Sequence, residues 1–205
     1  TLTYHPKLYS IVKDRLEKTT YLKKQVLVNL ENKISARGTV GVDCQLSSLI
    51  CQSMKLKTGA DIAVHGLLSR HSFTGKVTES ELFKVIPYEN QLVTVELSKD
   101  EIKVLIEEQL LLKKRIHQEF LGVDVFIKKG RIHKLIFPVE KSRYKVVLTN
   151  RLAAGHGARC PKTAIILSQH KNDIKENWGT SRDALRIFLQ RKPFKFKMKQ
   201  HYYEE

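Results

Sequence analysis

Eight histidines, three cysteines and 21 acidic residues are the groups in this 205-residue sequence that could carry metal or nucleophilic chemistry, and their spacing does not assemble it. No D-x-H, N-H-[DE] or G-H-x-H run is present, and the histidines are scattered from His5 to His201. A two-metal hydrolytic centre, which activates water and stabilises the departing oxygen, has no ligand set here. Cys44, Cys51 and Cys160 form no C-x-x-C pair. On a helix the seven-residue step from Cys44 to Cys51 is about 10 Å of axis, beyond disulfide reach. All three read as buried small residues rather than a disulfide framework or zinc site. What remains is charge: 37 basic against 21 acidic residues give +16, a field that attracts polyanions or acidic surfaces. The charge is spread out, with local peaks at Lys23-Lys24, Lys113-Lys114-Arg115, Lys128-Lys129 and Arg191 to Lys199. The ordinary role of such residues is a solvated face. No helix-turn-helix, zinc-finger or RNA-recognition signature marks a dedicated nucleic-acid domain.

The elements that would position any site are punctuated clearly between Thr74 and Leu112. Thr78 and Glu81 have capping-box spacing and start a short helix with Leu82, Phe83 and Ile86 on its apolar face. Pro87 stops it, since proline lacks an amide and disfavours helix in the residue before it. Gln91 to Leu97, with Val93, Thr94 and Val95, suits a strand, and Ser98 with Glu101 starts a second helix bearing Ile102, Leu105, Ile106 and Leu110. Tyr88 and Asn90 therefore fall on the connecting loop. Elsewhere the pattern predicts a helix over His5 to Lys18, with Leu8, Tyr9, Val12 and Leu16 at helical spacing, and a strand over Gln25 to Leu30. A helix N-capped by Asp43 and closed by Gly59 carries Leu46, Leu49, Ile50 and Met54. A hairpin runs from Val123 through Lys129-Gly130 to Phe137, and a strand follows with Tyr144, Val146 and Leu148. Thr180 with Asp183 caps a last helix carrying Leu185, Phe188 and Leu189, and the basic tail beyond it is expected to have no firm structure. Helices and strands mix without strict alternation, so the class is α+β, mixed sheets flanked by helices.

Several segments in this order resemble the C-terminal, substrate-recognition domain of the 5'-nucleotidase family. The helix ending before Pro87-Tyr88-Glu89-Asn90 is similar to the family's L-P-F-x-N run, and QLSSLICQSM (Gln45 to Met54) to its N-L-G-N-L-I-A-D-A-M helix. TGADIAV (Thr58 to Val64) matches its T-G-A-D-I-A strand, and YKVVLTNRLAAG (Tyr144 to Gly155) its Y-x-V-x-T-N-x-x-L-A-x-G segment. The likeness spans about Gly38 to Pro161. It implies a nucleoside pocket in which two aromatic side chains sandwich the base. Tyr88 takes the first aromatic position. The second falls on Arg159, in the Gly155-His156-Gly157-Ala158-Arg159 run, where a guanidinium stands in place of the ring. The N-G-G-G-I-R loop becomes His65 to Arg70: Arg70 keeps the arginine, His65 replaces the asparagine, and Leu67 and Leu68 fill space left open by glycine. Val42 stands where an anion-binding arginine is expected, and Asn90 matches the loop asparagine. Each also has an ordinary role: Tyr88 as a loop anchor, Arg70 in a surface ion pair, His65 and His156 as solvent-facing or satisfied imidazoles, Asn90 in a turn.

The expected organisation is a linker-like helix over 1–22, the recognition domain over 23–192 and a basic tail over 193–205. Full-length relatives join such a domain to an N-terminal metallophosphatase domain. The chain is thus expected to be non-catalytic by itself, a recognition or partner-binding module diverged at its ligand loops, with no cofactor of its own. Divalent metals would enter only with an upstream catalytic domain. Two other readings stay open: a working nucleotide-binding domain of a metal-dependent hydrolase, and a cationic adaptor for nucleic acid or acidic surfaces. No run of about 18 apolar residues predicts a transmembrane segment. No secretory signal opens the sequence at Thr1; the resemblance suggests an extracellular or periplasmic setting, which the odd cysteine count does not reinforce.

Overall fold

The computed structural model describes residues 6–113 and 118–204. Its centre is a four-stranded mixed sheet in the order β4-β8-β2-β5, built from β4 (Leu92–Leu97), β8 (Tyr144–Thr149), β2 (Ile62–Gly66) and β5 (Gln118–Leu121). β4 runs antiparallel to β8, β8 parallel to β2, and β2 antiparallel to β5, with Gly66 opposite Gln118. The strands are buried on both faces. Ile62, Val64, Val146 and Leu148 point into one core, while Ala63 and Val147 between them point into the other.

The first core is closed by α2 (Gln45–Thr58), α3 (Glu79–Val85) and α7 (Ser181–Leu189), with the two-stranded ribbon of β1 (Val26–Asn29) and β3 (Lys76–Thr78) at its edge. The second is closed by α4 (Lys99–Lys113), α6 (Pro161–Gln169) and a three-stranded sheet, β7-β6-β9, formed by β7 (Arg131–Ile136), β6 (Asp124–Lys128) and β9 (Tyr202–Glu204). The class is α+β, as the element pattern predicts.

Capping explains most helix starts. Thr180 and Asp183 form the full reciprocal box of α7, and Ser98 with Glu101 does the same for α4. Thr78 accepts from the Glu81 amide, but the Glu81 carboxylate turns to His71 and Lys84 instead of reaching back, so the box at α3 is half made. Leu82 and Ile86 are buried as expected, but Phe83 is exposed, with the Arg182 guanidinium 3.8 Å from its ring centroid, and Val85 is buried beside Ile86 in its place. Asp43 does not cap α2. Cys44 holds that position, and Asp43 Oδ1 accepts from the Thr39 amide at 2.5 Å to close the preceding turn. Gly59 does close α2 in the left-handed conformation.

The first helix runs longer than its apolar spacing, α1 (Pro6–Lys24), with Val12 and Leu16 exposed; the side chains of Leu8 and Tyr9 lie outside the described set, as do Lys114, Arg115 and His117. Lys129 and Gly130 both take positive φ, which fits a two-residue turn between β6 and β7. The largest departure is the basic tail. Phe194 and Phe196 pack against the first core while Lys195 between them and Lys197 after them stay exposed, and the chain then enters β9, parallel to β6, with Tyr202 buried. Apolar residues alternating with lysines anchor the segment, and net charge along the sequence hides that alternation. All three cysteines are free and buried.

Candidate functional site

At the ends of β2, β5 and β8 the chain leaves a cavity of about 430 Å³. His65, Gly66, Leu67 and Leu68 line it from β2 and the loop after it, Gln118 from β5, and Thr149, Arg151 and Leu152 from β8 and α5 (Asn150–Ala153). Asn90, Gln109, His156, Arg159 and Cys160 complete the wall.

Its floor is polar and buried. Gln118 is 8% exposed, and its Oε1 has no hydrogen-bond partner among the described residues. A buried amide oxygen left without a donor costs about 1–3 kcal/mol, so the Gln118 side chain is a strained polar group packed behind the cavity wall. His65 is buried beside it in the lining, its Nδ1 2.5 Å from the Gly66 carbonyl. Burial pushes its pKa down to about 4, against the smaller opposing effect of that hydrogen bond. The imidazole is therefore neutral near pH 7, and with the Nδ1 proton on Gly66 its Nε2 is an acceptor. Gln109 donates from Nε2 to Cys160 Sγ at 3.2 Å, so it is fixed rather than free.

The mouth is cationic. Arg151 and Arg159 are exposed, and burial followed by these two guanidinium charges lowers the His156 pKa. Among the described residues no acidic side chain lines the cavity. The loop that carries this charge is tightly wound: Gly155, His156, Gly157 and Ala158 all take positive φ. For His156 and Ala158 that conformation costs about 1–2 kcal/mol each. The Gly155 position favours glycine, since its φ is +79 and a Cβ there would sit 3.0 Å from Ala164 Cβ. Below it, the Glu108 carboxylate accepts from the amides of Lys162 and Thr163 and from the Thr163 hydroxyl, capping α6 from a neighbouring helix.

Of the residues expected at a site, the fold brings His65, Asn90 and Arg159 to one cavity. Tyr88 and Arg70 are not on its wall. Tyr88 is 55% exposed at the tip of the α3–β4 loop, and Arg70 is exposed beyond Leu68. The same loop is held by Arg182, which donates through Nε to the Ile86 carbonyl at 2.9 Å and through Nη1 to Glu89 at 3.1 Å. That clamp places Asn90, whose backbone carbonyl also accepts from Ser181. Sequence reasoning missed Gln118 and Gln109 entirely. Gln118 lies on a four-residue strand without a predictive pattern, and Gln109 sits on the apolar face of α4, one turn beyond Leu105 and Ile106, where a polar side chain among apolar ones was the available signal.

The model of the 5'-nucleotidase C-terminal domain matches residues 22–160. The chain belongs to that family. Among solved structures, this 5'-nucleotidase C-terminal domain resembles the 5'-nucleotidase precursor of Thermus thermophilus, with a TM-score of 0.76 and 17% identity over 96% of the chain and 42% of that protein. It also resembles the NAD nucleotidase of Haemophilus influenzae, with a TM-score of 0.73 and 12% identity over 98% of the chain and 42% of that protein. The sulfate thiohydrolase of Thermus thermophilus follows at 0.69 and 11%, over 97% and 38%. The domain thus spans less than half the length of these proteins. At these identities the likeness establishes the fold. No curated protein sequence matches the chain. Among the described residues no group of three or more His, Cys, Asp or Glu side chains is placed to hold a metal ion. No described helix is long and apolar enough to cross a membrane.

Proposed function

We propose that this 5'-nucleotidase C-terminal domain is a recognition module, non-catalytic by itself, whose cavity takes a small molecule with a hydrogen-bonding edge and an anionic group, of which a nucleoside monophosphate is one. The observation that carries the reading is a cavity lined by the buried polar residues Gln118 and His65 and by the exposed Arg151 and Arg159, with no acidic side chain among the described residues of its wall. A side-chain amide and a neutral imidazole suit the polar edge of a heterocycle, and two guanidinium groups suit phosphate. Hydrolysis would be supplied by a metal-dependent catalytic domain outside these residues, the arrangement of the two-domain nucleotidases it resembles. Leu67 and Leu68 line the cavity and Tyr88 does not, so ring stacking contributes less than hydrogen bonding, and affinity for adenosine monophosphate is expected to be about millimolar after the cost of lost freedom, itself at least about 4 kcal/mol.

The test is a titration of the labelled chain with adenosine monophosphate followed by NMR. Shifts are expected at Gln118, His65, Asn90 and Arg159, and Gln118→Leu should abolish them without altering the rest of the spectrum. Shifts confined to Tyr88 and Arg70, or retained in Gln118→Leu, would place the ligand elsewhere and sink the reading.

A further inference from the structure

The β7-β6-β9 sheet has two unlike faces. Val125, Ile127 and Tyr202 point into the second core. On the other side Tyr203 lies directly opposite Phe126, their rings stacked at 4.8 Å and 15°, and neither ring belongs to either core. Across the sheet Phe126 is paired with Lys134, and Lys128 with Arg131. The result is a stacked, half-buried aromatic pair flanked on the β6–β7 side by three cations, all three exposed. No described acidic side chain pairs with Lys128, Arg131 or Lys134. Asp124, the acid next along β6 on this face, is taken up by His201 at 2.9 Å and Lys199 at 3.1 Å. Glu204 follows Tyr203 in β9 and, opposite Ile127, is directed to the other face by the strand alternation.

We propose that this outer sheet face binds single-stranded nucleic acid, with bases stacking on the Phe126–Tyr203 pair and phosphates on Lys128, Arg131 and Lys134. The two rings cover each other's inner faces and lie outside both cores, so a base can extend the stack on an outer face while its backbone meets the flanking cations. The uncompensated charge selects a polyanion, and the rings select one whose bases are unpaired. None of these residues lines the cavity, so this surface and the recognition site stand or fall separately.

The probe is a fluorescein-labelled oligothymidylate of about twelve nucleotides, titrated against the whole chain by anisotropy at several salt concentrations. Binding should weaken at least about tenfold between about 50 and about 200 mM salt. Tyr203→Leu and Phe126→Leu should each weaken it about fivefold or more at fixed salt and leave the salt slope unchanged. Lys128→Glu combined with Lys134→Glu should weaken it and reduce the slope by about two. Unmodified chain gives an independent readout, since the Phe126 and Tyr203 ring protons should shift with oligothymidylate and stay put with inorganic polyphosphate. Equal affinity for duplex of the same length, unchanged affinity in both ring variants, equal ring shifts with polyphosphate, or capture by anionic vesicles but not by the oligonucleotide would each overturn the proposal.

Discussion

The Tyr202 hydroxyl bridges two residues of a distant strand: it donates to the Gln118 carbonyl at 2.8 Å and accepts from the Phe120 amide at 2.8 Å. β5 is the last strand of the central sheet, paired with β2 on one side only, and this hydroxyl satisfies its open edge. Gln118, the residue whose side chain lines the cavity floor, is therefore held from behind by the C-terminal strand. Tyr202→Phe leaves a buried carbonyl and amide without partners, each costing about 1–3 kcal/mol. The variant should lose about 2 kcal/mol or more in urea denaturation and bind adenosine monophosphate more weakly than wild type. Full stability in Tyr202→Phe would show that water replaces the hydroxyl.

Gly41 marks where the tail crosses the body. Its carbonyl accepts from the amides of His201 and Tyr202, and a Cβ built on it would fall 1.9 Å from the Tyr202 ring. Its φ of +78 adds backbone strain to that overlap. Gly41→Ala should displace β9 and cost about 3 kcal/mol or more, read as a drop in melting temperature with loss of near-ultraviolet tyrosine signal. An alanine variant as stable as wild type would mean that the tail is not seated there.

Glu119 carries a pH signature. It is fully buried, its Oε2 accepts from Ser47 Oγ at 2.6 Å, and its Oε1 has no partner among the described residues. Burial raises its pKa from 4.5 to about 7, against the smaller opposing effects of the Ser47 hydrogen bond and of the nearby Ser48 hydroxyl and Gly41 backbone, and its charge in turn helps to raise the pKa of Cys51 and Tyr202. The folded chain therefore binds this proton more tightly than the unfolded one, and stability falls as pH rises from about 4.5 to about 7. The shift corresponds to at most about 3 kcal/mol. Glu119→Gln should be less sensitive to pH across that window and more stable than wild type at about pH 8, measured by urea midpoints. His201, whose pKa burial lowers, pulls the other way, so the comparison between variant and parent isolates Glu119.

By itself the domain should release no phosphate from nucleoside monophosphates with Mg²⁺, Mn²⁺ or Zn²⁺ added. Release that follows the protein through purification and stops with chelator would require a metal site that no cluster of described residues provides.

Capping chemistry and punctuation make much of the fold legible in the sequence. Thr180 with Asp183, Ser98 with Glu101, Gly59 and Pro87 act within a few residues of the helix ends they set, so their effect is local and readable. The ordered segments from Gln45 to Gly155 are enough to point to the family, because their spacing reflects a whole succession of elements rather than any single contact. Tertiary structure alone decides the rest. β5 has no turn signal or alternation, and it exists because β2 offers one edge and Tyr202 supplies hydrogen bonds at the other. The basic tail reads as unstructured because its lysines mask Phe194, Phe196 and Tyr202, whose burial depends on surfaces far earlier in the chain. Likewise Tyr88 and Asn90 are two residues apart in sequence, yet only Asn90 reaches the cavity, since the Arg182 clamp from α7 fixes the loop with Tyr88 turned to solvent. Short-range rules fix where elements begin and end; which side chains meet in a cavity depends on distant strands and helices, and that information is not local.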